Sequence, residues 1–389
     1  MFKIIEIKIT TERYPFIKPF QLSGGVINDF LQLFCTATIE CDGKKFRGSG
    51  HAGISPIWSD KRKGVSFSEK EAQSVALARC AAGIILGKEF LEPLAAFEHI
   101  KKAAKEFSLE NGLPKLSQYV AMSPLDMAIW DAFARSKNKN IYHCLPNEIK
   151  TLKIFGKPRD IWVAHTIGIG EDSRNELAFA KKHGLKWFKI KLKGDLGRDK
   201  NVLEVFFADF FSLMPKVILD GNEGYSAADL KKLVVWLGTQ KFVKSISYIE
   251  QPIARDSKAS LLGIKSAFPI FADEMVCDAG DLKKAIKLGY QGVALKPTAK
   301  TFSETIKMMP LIVQLGLKTS VTDLTNCAPL AYPFQCEFAA RLRRSAAGVE
   351  INSYKFVDIK FQNARLPAGK KNIFKIKGGK IKTRNLKWN

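Results

Sequence analysis

The sequence predicts an α/β protein, a (β/α)8-type (modified TIM) barrel with an α+β capping domain. Eight short apolar runs recur at intervals of roughly 25 residues, and helical patterns separate them. This alternation is typical of parallel βαβ units, and eight units fit a closed barrel. No G-x-G-x-x-G follows the first strand, and polar residues end many strands instead of meeting at one crossover. Both observations favour the barrel over a doubly wound sheet of similar length.

The first 125 residues have a different pattern. FKIIEIKIT and LQLFCTATIECDGKKFRG alternate apolar with polar residues, which predicts strands, and CDGK predicts a hairpin turn in the second segment. Helical patterns follow in SEKEAQSVALARCAAGIILG and LEPLAAFEHIKKAAKEF. We therefore assign residues 1–125 to a small α+β capping domain and residues 126–355 to the barrel.

The barrel begins after the amphipathic helix SPLDMAIWDAFARSKNK. The runs predicted as its strands are IWVAHTI, KWFKIKL, KVILD, ISYIE, FPIFAD, GVALK, LKTSVTD and GVEINS. In a parallel barrel all strand C-termini open on one mouth. The polar residues that end these strands are therefore expected to converge.

Composition limits the classes of partner. The net charge is +24, but the lysines are spread along the chain, and no zinc-finger spacing or RNA-binding aromatic box is present. We therefore expect no specific nucleic-acid partner. Seven cysteines at irregular spacing without a CxxC pair are typical of reduced thiols. Neither a signal peptide nor an apolar run long enough to cross a membrane is evident, so we expect a cytoplasmic protein without a membrane partner.

Three successive strands end in a carboxylate. The stretch KVILDGNEGYSAADL carries Asp220 at its strand end and a predicted helix cap at Ser226, and Glu250 and Asp273 end the next two strands. A single acid in such a place is more often a helix cap or an ion-pair partner. Three on adjacent strands repel one another unless a cation lies between them, and oxygen-only ligands suit Mg²⁺, with Mn²⁺ as the alternative.

Lysines lie on both sides of these carboxylates. Lys189 and Lys191 end the second strand and share one face because side chains alternate along a strand, and Lys296 ends the sixth. Lys193 has the same parity and competes with Lys189. We prefer Lys189 because a turn begins at Gly194, which leaves Lys193 past the strand end. Two cationic faces are thus predicted to flank a metal site.

These residues resemble the enolase superfamily, and within it the mandelate racemase/muconate lactonizing enzyme-like subgroup that includes dipeptide epimerases and o-succinylbenzoate synthases. FQLSGG and RGSGHAG resemble its capping segments, and SPLDMAIWDAFARSKNKNIYHCL resembles the helix that leads into its barrel. IFKIKGGKIKT resembles the strand pair that returns to the cap, so residues 356–389 are assigned to the capping domain. The resemblance covers nearly the whole chain.

The resemblance implies a role for each strand-end residue. It implies that one Mg²⁺ is bound by Asp220, Glu250 and Asp273. Lys191 would be a base on one face of the substrate and Lys296 its counterpart on the other. Lys189 would be a charged neighbour that positions the substrate and lowers the pKa of Lys191.

The expected function is therefore that of an Mg²⁺-dependent isomerase or lyase that removes the α-proton of a small carboxylate substrate through an enediolate. A racemase or epimerase of an amino-acid or dipeptide-like substrate is the first choice, and an acid dehydratase or cycloisomerase is the second. A hypothesis from a different functional class is a protein without catalytic activity that binds anions or RNA. Barrels of this kind often associate, so a homo-oligomer is compatible with the sequence.

The eighth strand departs from the family pattern. Dipeptide epimerases carry Asp-x-Asp there to hold the substrate ammonium, whereas VEINSY offers Glu350 and Asn352. PTAKTFSE replaces the usual glycine-rich turn after the sixth strand. After the seventh strand, Asp323 either reaches the mouth or caps the next helix.

Further substrate contacts are expected from Asn222, near the third strand end, and from cap loops at residues 20–25 and 50–58. In the second loop His51 offers a hydrogen-bond donor and Trp58 a flat apolar face. His165, at the end of the first barrel strand, contacts either the substrate or a backbone carbonyl.

Overall fold

The computed structural model describes residues 1–22, 25–322, 329–343, 345, 348–350, 353–362 and 375–383. The N-terminal part forms an antiparallel sheet in the order β3-β2-β1-β4. Its strands are β1 (Phe2–Leu22), β2 (Gly25–Cys41), β3 (Lys44–Ile54) and β4 (Glu89–Phe90). Asp42 and Gly43 turn the chain between β2 and β3 with φ of 51° and 72°, as a two-residue hairpin requires. The hairpin predicted at CDGK is confirmed.

Four helices cover this sheet and its end: α1 (Pro56–Ser59), α2 (Phe67–Ile85), α3 (Pro93–Asn111) and α4 (Lys115–Ser136). The helix α4 lies directly on β3. A Cβ at Gly50 would lie 1.8 Å from the carbonyl oxygen of Pro124, so only glycine permits this approach. Because α4 runs through residues 125 and 126, one continuous helix spans the predicted domain boundary.

All eight predicted barrel runs contain a strand. They are β5 (Ile161–Ile167), β6 (Trp187–Lys191), β7 (Lys216–Asp220), β8 (Ile246–Glu250), β9 (Ile270–Ala272), β10 (Gly292–Leu295), β11 (Lys318–Val321) and β12 (Val349–Glu350). The strands from β5 to β11 pair in parallel in chain order, and β12 pairs in parallel with β5. A parallel bridge from Thr319 to Ser345 links β11 to the segment that leads into β12. The predicted barrel architecture is thereby confirmed.

Helices surround the barrel, and one short helix precedes it. They are α5 (Asn147–Thr151), α6 (Ser173–His183), α7 (Leu196–Phe210), α8 (Ala227–Thr239), α9 (Ala279–Lys287), α10 (Phe302–Gln314), α11 (Ala331–Arg341), α12 (Ser353–Phe356) and α13 (Ile359–Gln362). The helix α8 begins as predicted at Ser226, whose side chain accepts a hydrogen bond from the Asp229 amide.

The barrel interior changes from apolar to charged along its axis. Its lower layer includes Ala164, Ile218, Tyr248 and Phe271, with the two aromatic rings stacked at 4.1 Å between centroids. Since side chains alternate along a strand, the next inward position lies two residues further on. Two residues after each of these apolar residues comes a polar residue of the mouth.

The tail contacts both the barrel and the cap. Two short strands, β13 (Ile376–Lys377) and β14 (Lys380–Ile381), form the predicted pair. However, β14 pairs with the first barrel strand β5 and not with the cap sheet. The link to the cap comes earlier, through a bridge from Val357 to Phe16 and the stacking of Phe361 on Tyr14. The strand pair thus contacts the barrel, whereas the preceding part of the tail contacts the cap.

Among the described residues, no helix is both long and apolar enough to cross a membrane. Six cysteines are described, and all six are free thiols.

Candidate active site

Three buried carboxylates lie side by side at the mouth. Asp220 is paired in register with Glu250 on the neighbouring strand, and Glu250 is paired with Phe271. Asp273 lies two residues after Phe271 and therefore points to the same interior face. All three are almost completely buried. The predicted row of carboxylates is thus present in the fold.

Lys189 lies at the centre of this arrangement. Its ammonium group is 2.8 Å from carboxylate oxygens of Asp220, Glu250 and Glu350, and only 1% of its side chain is exposed. Burial alone would lower the pKa of Lys189, but the three carboxylates outweigh it and raise that pKa well above its ordinary value. Lys189 is therefore held as a cation and links the second, third, fourth and eighth strands.

Lys191 and Lys296 lie at the two ends of the row. The Lys191 ammonium donates to Asp220 Oδ2 at 2.7 Å, and the Lys296 ammonium is 2.6 Å from Asp273 Oδ2. Their side chains are 8% and 6% exposed. Burial would lower the pKa of Lys296, but Asp273 and Glu250 raise it above its ordinary value.

A fourth lysine also binds this row. The Lys300 ammonium donates to Asp273 Oδ1 at 2.7 Å and to the Asp273 backbone carbonyl at 2.6 Å. The Lys300 amide bonds to the Lys296 carbonyl, so one helical turn brings both side chains to Asp273. The sequence signal is the lysine four residues after Lys296 in PTAKTFSE, the segment that departs from the family pattern.

Trp58 reaches the mouth from the cap. Its indole Nε1–H donates to Glu274 Oε1 at 3.0 Å, and the Lys296 ammonium lies 4.4 Å from its ring centroid. Glu274 is the residue after Asp273, and its Oε2 is buried without a hydrogen-bond partner in the described part of the chain. Burial, reinforced by the charge of Asp273, raises the pKa of Glu274 to about 6.

The three row carboxylates differ in acidity. Burial tends to raise the pKa of Asp220 and of Asp273, but two lysines beside each carboxylate outweigh it and hold both pKa values far below the ordinary range. Glu250 lies between them. Its burial, together with the two neighbouring negative charges, raises its pKa to about 8 despite Lys189.

The donor set suits a divalent cation. As the side chains lie, no three His, Cys, Asp or Glu residues in the described chain are grouped to hold a metal ion, and lysine ammonium groups lie on the carboxylate oxygens. Four lysines meet five carboxylates here, namely Lys189, Lys191, Lys296 and Lys300 with Asp220, Glu250, Asp273, Glu274 and Glu350. The carboxylates outnumber the lysines, and one oxygen of Glu274 has no hydrogen-bond partner in the described part of the chain. Both features fit a bound Mg²⁺ once Glu250 has lost its proton.

Besides Trp58, two further predicted substrate contacts lie at the mouth. Glu350 is buried, accepts from Thr166 Oγ1 at 3.0 Å and pairs with Lys189. Asn222 follows Asp220 in a turn with φ of 41°, and its amide donates to Asp220 Oδ1. Asp323 and Asn352 lie outside the described residues.

The histidine predictions need correction. His51 is completely buried, stacks on Phe34, and uses both ring nitrogens inside the protein, with the Gln32 side chain and the Ala331 amide. No part of its ring is exposed to meet a substrate.

His165 is likewise buried. Its ring nitrogens contact the Tyr354 hydroxyl and Glu176, so its described partners are side chains and not the backbone carbonyl that we had considered. Burial lowers the pKa of His165 even though Glu176 opposes this effect.

A cavity of about 210 Å³ lies beside Lys191, between the ends of β5 and β6 and the helices α6 and α7. Its apolar wall includes Ile167, Ile190 and Phe206, and its charged rim includes Lys193 and Arg198. Lys193 is exposed at this rim, so Lys189 and not Lys193 occupies the interior position that we preferred.

The comparison with known families agrees with this geometry. The profile of the family described as Enolase C-terminal domain-like matches residues 173–370. The chain belongs to this family. The resemblance to the enolase superfamily predicted from the sequence is therefore confirmed.

The chain is similar to several known proteins. It is 27% identical to the hydrophobic dipeptide epimerase of Roseobacter litoralis, over 52% of this chain and only 56% of that protein. It is 23% identical to the L-Ala-D/L-Glu epimerase of Thermotoga maritima, over 82% of this chain and 84% of that protein. Its fold matches the dipeptide epimerase of Cytophaga hutchinsonii, solved with Mg and D-Ala-L-Val, with a TM-score of 0.71, 15% identity and coverage of 90% and 87% of the two chains.

Proposed function

We propose that this family member is an Mg²⁺-dependent enzyme that removes and returns the α-proton of a small carboxylate substrate, acting as an epimerase of dipeptide-like substrates. The observation that carries the proposal is the placement of Lys191 and Lys296 at opposite ends of a row of three buried carboxylates. The printed names of the Roseobacter, Thermotoga and Cytophaga proteins support the dipeptide class.

Asp220, Glu250 and Asp273 are the residues that would hold the metal. A bound Mg²⁺ would supply positive charge beside the substrate carboxylate, where negative charge develops as the α-proton leaves. The lysines that now lie on these carboxylates would give up part of their contacts to the metal. Their amino groups would then be available for the substrate.

The two end lysines have complementary roles. One lysine, as a neutral amine, takes the α-proton from its face of the substrate and becomes an ammonium. The other, as an ammonium, delivers a proton from the opposite face and becomes an amine, which inverts the configuration. Lys189 is unsuited to this exchange because three carboxylates hold its ammonium. We assign it to ordering the row and positioning the substrate.

Glu350 is the candidate for the substrate ammonium group. Its carboxylate is buried at the end of the eighth strand and is paired with Lys189. An ammonium group in place of the Lys189 contact would preserve the local charge balance. This assignment favours substrates with a free amine over N-acylated ones.

Deuterium incorporation tests the proposal directly. The protein is incubated in D₂O with Mg²⁺ and pools of dipeptides, N-acylamino acids, hydroxyprolines and sugar acids, and each pool is analysed by mass spectrometry. We expect a gain of one mass unit, within the dipeptide pool, that EDTA abolishes. Loss of water would indicate a dehydratase. Absence of exchange in every pool, together with salt-sensitive polyanion binding that survives EDTA, would contradict the proposal and support a silent binder.

A further inference from the structure

A segment of the cap, residues 55–62, is fastened to the barrel mouth by three different barrel loops. We refer to it as the cap segment. It contains α1 and Trp58, and the amides of Trp58, Ser59 and Asp60 are hydrogen-bonded within it. Each loop that holds it follows one of the three row carboxylates.

The first loop contributes Glu223, three residues after Asp220. The turn DGNEG places Glu223 with φ of 66°, and its amide donates to the Gln251 carbonyl at 2.7 Å. A Cβ at Gly221 would lie 2.6 Å from the Cα of Pro252, so glycine is needed for the turn to rest on the next loop. The result is a nearly buried carboxylate directed toward the cap segment.

The second loop contributes Arg255, five residues after Glu250. Its guanidinium makes a two-pronged contact with Glu223, through Nε to Oε1 at 2.9 Å and Nη2 to Oε2 at 2.7 Å. The same Nη2 donates to the Trp58 backbone carbonyl at 2.8 Å, and Lys61 pairs with Glu223. We call Glu223 and Arg255 the clamp.

The third loop contributes Glu274, which accepts from the Trp58 indole as described above. Trp58 is thus held at its carbonyl by the clamp and at its ring by Glu274. Its ring covers the Lys296 ammonium, and Lys300 lies 6.0 Å from the ring centroid. With Lys296 only 6% exposed, a substrate must meet this ring on the Lys296 side of the mouth.

We propose that Glu223 and Arg255 are positioning residues that hold Trp58 as the wall of the substrate site on the Lys296 side, and thereby limit the size of the substrate group on that side. The proposal rests on the proposed function, since it names the side of the substrate that this epimerase would restrict. Neither residue touches the row carboxylates through its side chain in the contacts above, so the clamp acts through Trp58.

Hydrogen–deuterium exchange of the cap segment tests the clamp without any substrate or metal. We expect Arg255→Gln to accelerate exchange of the amides of Trp58, Ser59 and Asp60 by about tenfold or more, because the carbonyl of Trp58 loses its barrel contact. Glu223→Gln, which keeps the side-chain shape, is expected to act in the same direction and provides a second variant if the first does not fold.

Arg341→Gln is the matched control. Arg341 also pairs with a glutamate, Glu337, and is 15% exposed compared with 20% for Arg255. It lies at the end of α11 and contacts Gly156, which precedes the first barrel strand and thus lies away from the mouth. Unchanged exchange in both clamp variants, or equal acceleration in Arg341→Gln, would overturn the proposal.

Substrate selectivity provides the second readout. For dipeptides found active in D₂O, the ratio of kcat/KM for a large over a small side chain at the epimerised residue is expected to rise about tenfold in Trp58→Ala and in Arg255→Gln. The double variant should show no further rise, because both changes remove the same wall. A purely structural clamp would lower both rates and leave the ratio unchanged, which would contradict the proposal.

The two proposals fail in distinguishable ways. If no pool exchanges deuterium, the epimerase proposal fails, while exchange of the cap segment still decides whether the clamp holds Trp58. If epimerisation occurs but the ratio of large to small substrates is the same in wild type and clamp variants, only the clamp proposal fails.

Discussion

The two ends of the carboxylate row have unequal surroundings. On the Lys191 face, the lysine contacts Asp220 and borders a cavity that has an apolar wall and charged residues of both signs in its lining. On the Lys296 face, the lysine shares Asp273 with Lys300 and is covered by Trp58. The chemistry of epimerisation needs a proton carrier on each face, but the fit of a substrate needs the two faces to differ.

This difference suggests how a substrate is oriented. A cavity with an apolar wall can accept a bulky group, whereas a wall formed by an indole ring accepts only a small or flat one. The two lysines that we propose as proton carriers are therefore matched across the site, while the spaces around them are not. Variants at each end can test whether both lysines transfer protons and whether the two surroundings restrict the substrate differently.

Removal of either end lysine should have the largest effect. Lys191→Ala and Lys296→Ala are each expected to lower epimerisation by about 10³-fold, since proton transfer to one face is lost. Each variant should still exchange deuterium into the one epimer that presents its α-proton to the remaining lysine. Mass spectrometry with each pure epimer in D₂O measures this directly.

Lys193→Ala provides the control for the Lys191 variant, because Lys193 lies two residues further along and is exposed. It should epimerise at the normal rate. Mg²⁺ binding, measured by calorimetry, should survive in both lysine variants. Loss of metal affinity in either one would instead assign that lysine to the structure of the site.

Local patterns explain why much of this site was predictable. Asp220, Glu250 and Asp273 each follow an apolar run at a strand end, and strand parity fixes the face on which they lie. By contrast, the central position of Lys189 depends on Glu350, which arrives 161 residues later in the chain. No local sequence pattern predicts the contact between Lys189 and Glu350.

The clamp was hidden for the same reason. Glu223 could be interpreted only as part of a turn, because its partner Arg255 comes from another barrel loop and their target Trp58 comes from α1 of the cap. The sequence of the tail is ambiguous for a different reason. Its strand pair was recognisable, but a two-residue strand carries no information on whether it pairs with the cap or with β5.

Glu350→Gln tests whether Glu350, at the end of the eighth strand, binds the substrate ammonium group. We expect KM for dipeptides with a free amine to rise about 10- to 100-fold, because a charged contact to the substrate ammonium becomes a neutral one. N-acylated analogues serve as the internal control and should be affected much less. An equal rise for both substrate types would show that Glu350 acts only through Lys189.

The pH dependence of Mg²⁺ binding tests whether Glu250, the middle carboxylate of the row, must lose a proton when the metal binds. The pKa of Glu250 is raised to about 8, so the metal-free protein carries a proton there at neutral pH that Mg²⁺ must displace. The pKa values of Asp220 and Asp273 are lowered, so both remain ionised and add no pH dependence. Mg²⁺ affinity should therefore fall as the pH falls below 8, by up to about tenfold per pH unit. A flat calorimetric profile from pH 6 to 8 would contradict this prediction.

Lys300→Met is expected to have the smallest effect. It tests whether Lys300, on the Lys296 face, stabilises the metal-free protein by neutralising Asp273. Lys300 and Lys296 both neutralise Asp273, so loss of one leaves this buried carboxylate partly compensated. We expect a loss of about 2 kcal/mol in the free energy of unfolding of the metal-free protein, below the cost of leaving a buried charge with no partner. Saturating Mg²⁺ should recover most of this loss, because the metal supplies the missing positive charge at Asp273. Thermal unfolding with and without Mg²⁺ measures both values, and a deficit that Mg²⁺ leaves unchanged would mean that Asp273 is not a metal ligand.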